Sequence, residues 1–426
     1  MATVTAPVAS VAETCRAAQA AARALATLDT ATKDRALEAI AASLEARTDE
    51  ILAANALDLE AGRAAGLTPA LLDRLALDER RIAAMAAGVR TIVALPDPVG
   101  EVVEGRRLPN GLDIRKVRVP LGVVAVVYEA RPNVTIDAAA LCLKSGNAVV
   151  LRGSSTAAHS NAVLAAIAGE AAEAAGLPAG ALALVAGGGR EELAELATQA
   201  GVVDLIIPRG GEGLKHALSA VATVPVIYAA SGNCHVYVDA SADLDAAERI
   251  IVNAKVQRPG VCNAAETLLV HSDVAAAFLP RALGALRAAG VEIRADGRAR
   301  AAAGALAGGV LDAQPADWDE EFLALVLAVG VVDSVQEAIA RVNTHGSGHS
   351  EAIVTRDTAA ARAFQLGVDA ACVYVNASTR YTDGGEFGMG AEIGNSTQKL
   401  HARGPIGMRE LCTFKYLVEG DGHVRG

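Results

Sequence analysis

Short apolar segments alternate with helical segments between residues 122 and 207, and no other feature constrains the fold as strongly. The apolar segments are predicted as strands at 123–128, 148–151, 181–185 and 203–207. The segments between them have the residue spacing of helices. Apolar strands that alternate with helices are typical of parallel βαβ units whose sheet is covered on both faces. The sequence therefore predicts an α/β fold with a parallel sheet, and a second α/β unit follows after residue 239.

Small and basic residues follow three of these predicted strands. They share one position, the loop between a strand and the next helix, and they are Arg152, Ser154, Ser155, Gly187, Gly188, Arg209, Gly210 and Gly211. Ligands bind at the carboxyl ends of strands in parallel sheets, and glycine lets backbone amides approach a phosphate at a helix N-terminus. The chain has no clean G-x-G-x-x-G fingerprint. Each loop alone fits an ordinary turn. Three in succession strengthen the prediction of a nucleotide site, and ordinary turns stay the alternative.

The N-terminal part of the chain predicts a different kind of structure. Residues 8–95 are rich in alanine and carry leucine, isoleucine and charged residues at helical spacing, which predicts a helical layer over a sheet. In the segment 101–122, Asn110-Gly111 lies between alternating residues, which is a hairpin signal. This hairpin is too charged for a core, and its charge favours a projecting element that pairs with another subunit.

Charge and cysteine content exclude several classes of protein. The net charge of -11 argues against a general nucleic-acid-binding protein, which needs a basic face. The six cysteines are scattered without a C-x-x-C pair, which argues against a zinc ribbon or a disulfide framework. Single scattered thiols fit a protein of the reducing cytosol. The N-terminus lacks a signal-peptide pattern, and the longest apolar stretch, 322–332, is about half of what spans a bilayer. We expect a soluble cytoplasmic protein without metal, nucleic acid or membrane segment.

One cysteine, Cys262, has a setting suited to chemistry. It follows the turn Arg258-Pro-Gly and precedes an apolar run, 267–270, that is predicted as a strand. Turn residues before a strand place the thiol at the mouth of a loop, where a nucleophilic thiolate has access to a substrate. The alternative is a buried and inert cysteine, which is the commoner fate of this residue type.

Six longer strings of residues, taken together, are highly specific. They lie at 128–135, 146–153, 258–264, 345–351, 375–390 and 398–405. These strings resemble the aldehyde dehydrogenase superfamily and, within it, the gamma-glutamyl phosphate reductase family, and the resemblance covers nearly the whole chain. One departure is Arg341-Val342, where the family is expected to carry His-Ile; it lies on a predicted helix and should not touch the chemistry.

The resemblance implies an aldehyde dehydrogenase-like architecture of three parts. A Rossmann-like NADP-binding domain would comprise residues 1–100 and 123–235, and an α/β catalytic domain with the nucleophilic cysteine would comprise 236–397. A small β oligomerisation flap would combine 101–122 with 398–426. The flap implies a homo-oligomer, either a dimer or a dimer-based assembly.

The resemblance also implies a reaction, the second step of proline biosynthesis from glutamate. Cys262 would attack the acyl carbon of L-glutamyl 5-phosphate and expel phosphate, and NADPH would reduce the thioester to L-glutamate 5-semialdehyde. Asn133 matches the asparagine that stabilises the oxyanion, and the alternative is that it is a turn residue after Pro132. The segment 230–235 lacks the glutamate base of hydrolytic relatives, which favours the phosphate-dependent reaction.

Cofactor preference follows from the same comparison. The string Arg152-Gly-Ser-Ser occupies the place of Lys-Pro-Ser-Glu, so Ser155 replaces a glutamate that would hold a ribose 2′-hydroxyl. A carboxylate there would repel a 2′-phosphate, whereas arginine and serine would bind one, which predicts NADP(H) over NAD. Glu321 aligns with the glutamate that contacts the nicotinamide ribose, and its alternative is a solvated charge before a strand.

The substrate would need partners for its charged groups. The candidates for its carboxylate are Ser378, Thr379 and Arg380, and those for its phosphate are Arg131, His401 and Arg403. For each of them a surface ion pair is the alternative.

Rival functions stay open at this point. One is another acylating or oxidising semialdehyde dehydrogenase, and one of a different class is a catalytically silent nucleotide-binding protein. The intact Cys262 and Asn133 argue against the silent protein. The acyl phosphate would have to come from a separate kinase, so a complex with glutamate 5-kinase is a further open question.

Overall fold

The computed structural model describes residues 9–185, 187, 189–228 and 231–425. These residues form two compact units. Unit 1 contains the described residues up to Tyr228, together with Gly388–Gly394 and the residues from Ile406 onward. Unit 2 contains the described residues from 231 to Phe387, together with Asn395–Pro405. Within the part of the chain that is described, no helix combines the length and the apolar character needed to cross a membrane.

Unit 1 begins with five helices, as the alanine-rich pattern predicts. They are α1 (Val11–Leu25), α2 (Thr30–Ala46), α3 (Thr48–Ala64), α4 (Pro69–Leu75) and α5 (Glu79–Ala94). Four of them begin at a side-chain cap, because Ser10, Asp29, Thr68 and Asp78 each accept a hydrogen bond from a backbone N–H in the first turn. Such caps satisfy amide groups that otherwise have no partner within the helix.

The predicted hairpin is confirmed as strands β1 (Val102–Arg107) and β2 (Asp113–Pro120), which pair antiparallel. Gly111 in the connecting turn has a φ of 95°, which lies in the left-handed region that favours glycine. Asn110-Gly111 therefore forms the predicted turn, and the reason is the one expected from the sequence: glycine adopts this backbone conformation easily.

A four-stranded parallel sheet forms the centre of unit 1. Its elements are β3 (Val123–Tyr128), α6 (Asn133–Lys144), β4 (Ala148–Gly153), α7 (Ala158–Ala174), β5 (Leu182–Leu184), α8 (Arg190–Ala197), β6 (Leu205–Arg209) and α9 (Glu212–Ser219). The strand order is β5-β4-β3-β6, and all pairings are parallel. Every residue of β3 and β4 is buried. The chain changes direction between β3 and β6, which is where ligands bind in such sheets.

Unit 2 is a second α/β layer built on a seven-stranded parallel sheet. Its elements are β7 (Cys234–Val238), α10 (Leu244–Val256), β8 (Ala265–His271), α11 (Ser272–Ala288), β9 (Glu292–Ala295), α12 (Gly297–Ala302), β10 (Leu311–Asp312), β11 (Val326–Val332), α13 (Val335–His345), β12 (Ser350–Val354), α14 (Thr358–Gly367) and β13 (Cys372–Val375). The strand order is β10-β9-β11-β8-β7-β12-β13. Two further short strands, β14 (Asn395–Ser396) and β15 (Gly404–Pro405), pair antiparallel.

Both faces of this second sheet are covered by apolar side chains. On β8, Leu268 and Val270 belong to one buried cluster and Leu269 to another. Successive side chains of a strand point to opposite faces, so the two clusters are the two cores of a layered sheet. A strand buried on both faces is a continuous apolar run, which is why β8 and β11 were predictable.

The last strand, β16 (Cys412–Glu419), returns to unit 1 and pairs antiparallel with β2. The resulting sheet, β1-β2-β16, exposes several large apolar side chains, which are Val102, Val103, Phe414, Tyr416 and Val418. The role of this sheet as an oligomerisation flap stays a prediction, as do the domain boundaries drawn from the sequence.

Helix α14 provides a test of the packing in unit 2. Phe364 is fully buried and stacks on Tyr237 with 6.1 Å between ring centroids. Phe364→Ala should lower the free energy of unfolding by about 3–5 kcal/mol, because the cavity left by the ring cannot close completely. Leu366→Ala on the same helix is the control, since Leu366 is 76% exposed, and it should change stability by less than about 0.5 kcal/mol. Equal losses in urea unfolding would contradict this packing.

Candidate active site

Cys262 lies in the loop between α10 and β8, and it is the accessible cysteine of the chain. Its residue is partly exposed, whereas the other five cysteines are buried. The loop position predicted from the turn residues is therefore confirmed. A thiol that is reachable from solvent is a prerequisite for nucleophilic attack.

The backbone of Gly232 packs directly against the Cys262 loop. A Cβ atom added to Gly232 would lie 1.6 Å from the carbonyl oxygen of Cys262, so no other residue fits there without moving the loop. The same carbonyl accepts a hydrogen bond from Sγ of Cys234 at 3.2 Å. The amide of Gly232 donates to Oε1 of Glu321 at 2.6 Å. A carboxylate thus approaches this segment from a distant part of the chain.

A second clamp holds the residue after the cysteine. Nδ2 of Asn263 donates to the carbonyl of Thr382 at 2.9 Å and to that of Arg380 at 3.3 Å. In return, Oγ1 of Thr379 donates to the carbonyl of Asn263 at 2.7 Å. Thr379 is fully buried, and Ser378 accepts a hydrogen bond from the amide of Arg380. The Thr379 hydroxyl thus supports the loop, whereas the Ser378 hydroxyl supports its own turn. The contact of either hydroxyl with a substrate stays a prediction.

Arg380 lies within electrostatic range of Cys262. Nε of Arg380 donates to Oε1 of Gln257 at 2.7 Å. Burial lowers the pKa of Arg380, and the neighbouring charge of Arg258 lowers it further. The Asp383 carboxylate and a negative charge on Cys262 act in the opposite direction. Positive groups near a cysteine favour its thiolate form. The arrangement can therefore stabilise a nucleophilic sulfur.

A buried ion pair lies close in sequence to the cysteine and was not predicted. Nζ of Lys255 and Oε2 of Glu266 are 2.5 Å apart, and both side chains are inaccessible to solvent. Burial raises the pKa of Glu266 to about 7, although Lys255 acts against it. The other carboxylate oxygen accepts a hydrogen bond from the amide of Leu323, two residues after Glu321. The pair thereby connects the strand after Cys262 to the segment that carries Glu321.

A chain of hydroxyl groups extends from the loop into the core of unit 2. Nδ1 of His349 is 2.7 Å from Oγ of Ser350, which is 2.5 Å from Oγ1 of Thr382. The hydroxyl of Tyr374 also contacts Oγ1 of Thr382, at 2.7 Å. Because the Thr382 carbonyl binds Asn263, this buried network supports the cysteine loop from behind.

Arg403 and His401 have a different environment. A guanidinium nitrogen of Arg403 donates to Oδ1 of Asp369 at 2.9 Å. Arg403 also lines a cavity of about 380 Å³ with Lys399 and Glu351, and no residue of the Cys262 loop lines that cavity. His401 is exposed. The structure therefore gathers Glu321 and residues 378–380 around the cysteine, whereas it places Arg403 in a separate cavity.

The loops after the strands of unit 1 end at uncapped helices. The short 3₁₀ helix Ser155–Ala157, α8 and α9 begin without a hydrogen bond from the side chain of the cap residue. The start of α7 is different, because the Asp58 carboxylate accepts hydrogen bonds from the amides of His159 and Ser160. Amides in the first turn of a helix that have no partner can bind a phosphate. Four of the five N-terminal helices differ in this respect, because a side chain caps each of them.

Most of the predicted cofactor residues lie in these loops. Arg152 is only 6% exposed and donates to the carbonyl of Gly189 at 2.6 Å, and burial lowers its pKa. Ser154 is hydrogen-bonded to Thr156 at 2.5 Å, while Ser155 is exposed. Gly187 has a φ of 95°, and Gly188 lies outside the described residues.

A carboxylate that was not predicted lies at the switch point of the sheet. The amide of Gly211, just before α9, donates to Oε2 of Glu129 at 3.1 Å. A Cβ atom added to Gly210 would lie 2.7 Å from the Glu129 carboxyl carbon. The glycines at 210 and 211 thus allow a carboxylate to approach the backbone beside Arg209. Nothing in the local sequence pairs residue 129 with residue 211, because the contact joins the loops that follow two neighbouring strands.

Asn133 is the first residue of α6 and is exposed. Its Nδ2 atom donates to Oδ2 of Asp137 at 2.9 Å, one helical turn further along. Arg131 is also exposed, and its carbonyl accepts from the amide of Val134. Among the residues that the structure describes, no group of three or more His, Cys, Asp and Glu side chains could hold a metal ion.

Comparison with known proteins identifies relatives along nearly the whole chain. The model of the aldehyde dehydrogenase family matches residues 2–307 and 311–415. The gamma-glutamyl phosphate reductase of Syntrophomonas wolfei is 55% identical over 408 residues, which is 96% of both chains. That of Heliobacterium modesticaldum is 56% identical over 401 residues, or 94% of this chain and 95% of the relative.

Solved structures agree with this comparison. The crystal structure of gamma-glutamyl phosphate reductase from Thermotoga maritima superposes with a TM-score of 0.95 at 44% identity, and the match covers 98% of this chain and 100% of the other. An acetylating aldehyde dehydrogenase from Geobacillus thermoglucosidasius shares the fold at 19% identity, with a TM-score of 0.69 and coverage of 98% and 97%.

The contact at Gly232 predicts a local effect of substitution. Gly232→Ala should displace the cysteine loop, because the added Cβ would overlap the Cys262 carbonyl. We expect a loss of about 1–3 kcal/mol in stability and a severalfold change in the rate of Cys262 alkylation by iodoacetamide. Gly297→Ala is the control, since nothing lies within 4 Å of its added Cβ. Wild-type stability and labelling in Gly232→Ala would exclude the contact.

Burial of His349 predicts a pH dependence of stability. Burial lowers the pKa of His349 from its usual 6.5 to about 4. The unfolded chain then binds a proton that the folded chain excludes, so stability falls as pH falls from about 6.5 to about 4, by about 3 kcal/mol in total. His349→Asn should remove this dependence. Urea unfolding of both proteins tests it, with pH 7–8 as the internal reference because histidine is neutral in both states there. Parallel curves at all pH values would contradict it.

Proposed function

Because the chain belongs to the aldehyde dehydrogenase family and, within it, to the gamma-glutamyl phosphate reductases, we propose that it reduces L-glutamyl 5-phosphate to L-glutamate 5-semialdehyde and phosphate. This reaction uses NADPH and is the second step of proline biosynthesis from glutamate. The observation that carries the proposal is the partly exposed residue Cys262, in a loop that lies between the backbone of Gly232 and the contacts of Asn263.

In the first step the Cys262 thiolate attacks the acyl carbon of the substrate. A carbon–sulfur bond forms, the bond from carbon to the phosphate oxygen breaks, and phosphate leaves with its electron pair. Arg380 supports the thiolate through its positive charge. The product of this step is a thioester, which is more readily reduced than a carboxylate.

The oxygen of the acyl group gains negative charge as each tetrahedral intermediate forms. We assign Asn133 as one donor to this oxygen and the Cys262 backbone N–H as the other. Removing one such donor commonly costs about 2.7–4 kcal/mol of transition-state stabilisation. The exposed amide of Asn133 at the start of α6 supports this assignment.

Protection of the thioester from water is the next requirement. Residues 231–235 carry no carboxylate that could activate a water molecule. The carboxylate that approaches this segment, that of Glu321, accepts the Gly232 amide. Both observations support exchange of the acyl group with phosphate over hydrolysis of the thioester. They favour the reductase over a dehydrogenase that simply oxidises an aldehyde to an acid.

The loops of unit 1 are the proposed cofactor site. When bound, NADPH would supply the hydride that converts the thioester to the aldehyde. The uncapped helix N-termini after β4, β5 and β6 would hold its phosphates, with contributions from Gly187, Gly188, Arg209, Gly210 and Gly211. Arg152, Ser154 and Ser155 would select the 2′-phosphate of NADP, and Glu321 would bind the nicotinamide ribose.

The remaining assignments concern the substrate and the partners. We assign the substrate carboxylate to Ser378, Thr379 and Arg380, and its phosphate to Arg131, His401 and Arg403. The exposed apolar residues of the β1-β2-β16 sheet support a homo-oligomer built from dimers. A kinase must make the acyl phosphate, so glutamate 5-kinase is the proposed partner.

The reverse reaction tests the proposal. The protein is incubated with glutamate 5-semialdehyde and NADP, with and without inorganic phosphate, and NADPH formation is followed. Turnover should require phosphate, and kcat/KM should be higher with NADP than with NAD. Cys262→Ser should lose on the order of 10³-fold or more in kcat.

Two outcomes would overturn this function. Turnover at the same rate without phosphate would favour the rival semialdehyde dehydrogenase, since water would then release the acyl group. Full activity in Cys262→Ser would exclude the thioester. Cys142→Ser is the matched control, because that thiol is buried in unit 1 and should not affect the dependence on phosphate.

A further inference from the structure

Asp137 is a carboxylate on the same face of α6 as Asn133. Residues four apart on a helix lie above one another, and Oδ2 of Asp137 accepts a hydrogen bond from the Asn133 amide at 2.9 Å. Asp137 is half-buried. A charged group thus lies in direct contact with the amide that is assigned to the acyl oxygen.

The charge of Asp137 is incompletely compensated by the protein. Among the described residues it forms no ion pair, and its Oδ1 atom accepts no hydrogen bond. Burial is the largest influence on this carboxyl and raises its pKa, while Asn133 and the more distant charge of Arg209 act against it. Removing a carboxylate from water without a cationic partner is unfavourable. A ligand that brings a positive charge would relieve that cost.

The proposed substrate has such a charge. It carries an ammonium group as well as a carboxylate and a phosphate, yet every side chain assigned to its charged ends is basic or neutral. An ammonium group donates hydrogen bonds and needs an anionic acceptor. Oδ1 of Asp137 can accept from it while Oδ2 keeps its bond to Asn133.

We propose that Asp137 binds the α-ammonium group of the acyl substrate and thereby makes the site selective for amino-acid semialdehydes. The inference rests on the proposed function, which assigns the acyl oxygen to Asn133. Only the side-chain methylenes and the α-carbon separate the acyl carbon from the ammonium group. A glutamyl group bound to Asn133 through its oxygen can therefore reach the carboxylate one helical turn away.

A competing role for Asp137 is to position Asn133. An ionised carboxylate only accepts hydrogen bonds, so it selects the orientation in which the NH₂ end of the Asn133 amide faces it. Loss of that effect would weaken the oxyanion contact for every acyl group. Loss of the ammonium contact would affect only substrates that carry an amine. The two roles are therefore separated by an aldehyde that lacks the amine.

The experiment compares glutamate 5-semialdehyde with glutarate semialdehyde, which differs only by the missing amine. Phosphate-dependent kcat/KM is measured with NADP for the wild type, Asp137→Asn and Asn133→Ala. Glutamate semialdehyde cyclises reversibly, so each aldehyde is compared between proteins at equal total concentration. Asp137→Asn should lower kcat/KM about 10- to 100-fold for the amino substrate and change it by less than about threefold for glutarate semialdehyde. Asn133→Ala should lower both.

Several outcomes would overturn the inference. Equal losses on both aldehydes in Asp137→Asn would assign the residue to positioning, and no loss on either would exclude a role. Asp137→Ser serves as a second variant, and thermal unfolding checks that both variants fold. If wild-type turnover does not depend on phosphate, the proposed function fails. The loss of kcat/KM in Asp137→Asn can still be compared between the two aldehydes, and that comparison tests the selectivity for the amine separately.

Discussion

The close packing of Gly232 against the carbonyl of Cys262 is the constraint on which the rest of the site depends. It restricts the backbone of the loop from one side, because any side chain at position 232 would overlap the Cys262 carbonyl. The contacts made by Asn263 fix the loop from the other side. A nucleophile held by two rigid clamps is pre-organised for attack, and pre-organisation lowers the barrier more than a flexible loop could.

Buried polar groups carry this rigidity into the core. The pair Lys255–Glu266 and the contact of His235 with Glu351 are both inaccessible to solvent. Buried ion pairs contribute little net stability, because desolvation offsets their attraction, yet breaking one leaves an uncompensated charge. Their consequence here is geometric: Glu266 ties the strand after the cysteine to the amide of Leu323, and thus to the segment with Glu321.

The sequence was sufficient wherever structure depends on local pattern. Strands such as β3 and helices such as α10 followed from apolar runs and helical spacing, and the loop position of Cys262 followed from its turn. The elements β9, α12 and β10 were missed, because two- to six-residue segments have no clear period. The contacts of Gly232 with Cys262 and of Glu129 with Gly211 join distant positions, so no local pattern could reveal them. The aldehyde dehydrogenase-like fold was recognisable from long strings of residues, and the relatives confirm it.

The basic residues differ in how well they can bind an anionic substrate, because they already have different partners in the structure. Arg403 is bound to the Asp369 carboxylate, so binding a substrate anion would require it to share or exchange an ion pair. Nε of Arg380 is bound to the neutral Gln257 amide. Exchange of a neutral acceptor for a carboxylate strengthens the hydrogen bond, because charge-assisted bonds are about twice as strong as neutral ones. On this physical ground Arg380 is the better anion receptor of the two, which supports its proposed role as the partner of the substrate carboxylate.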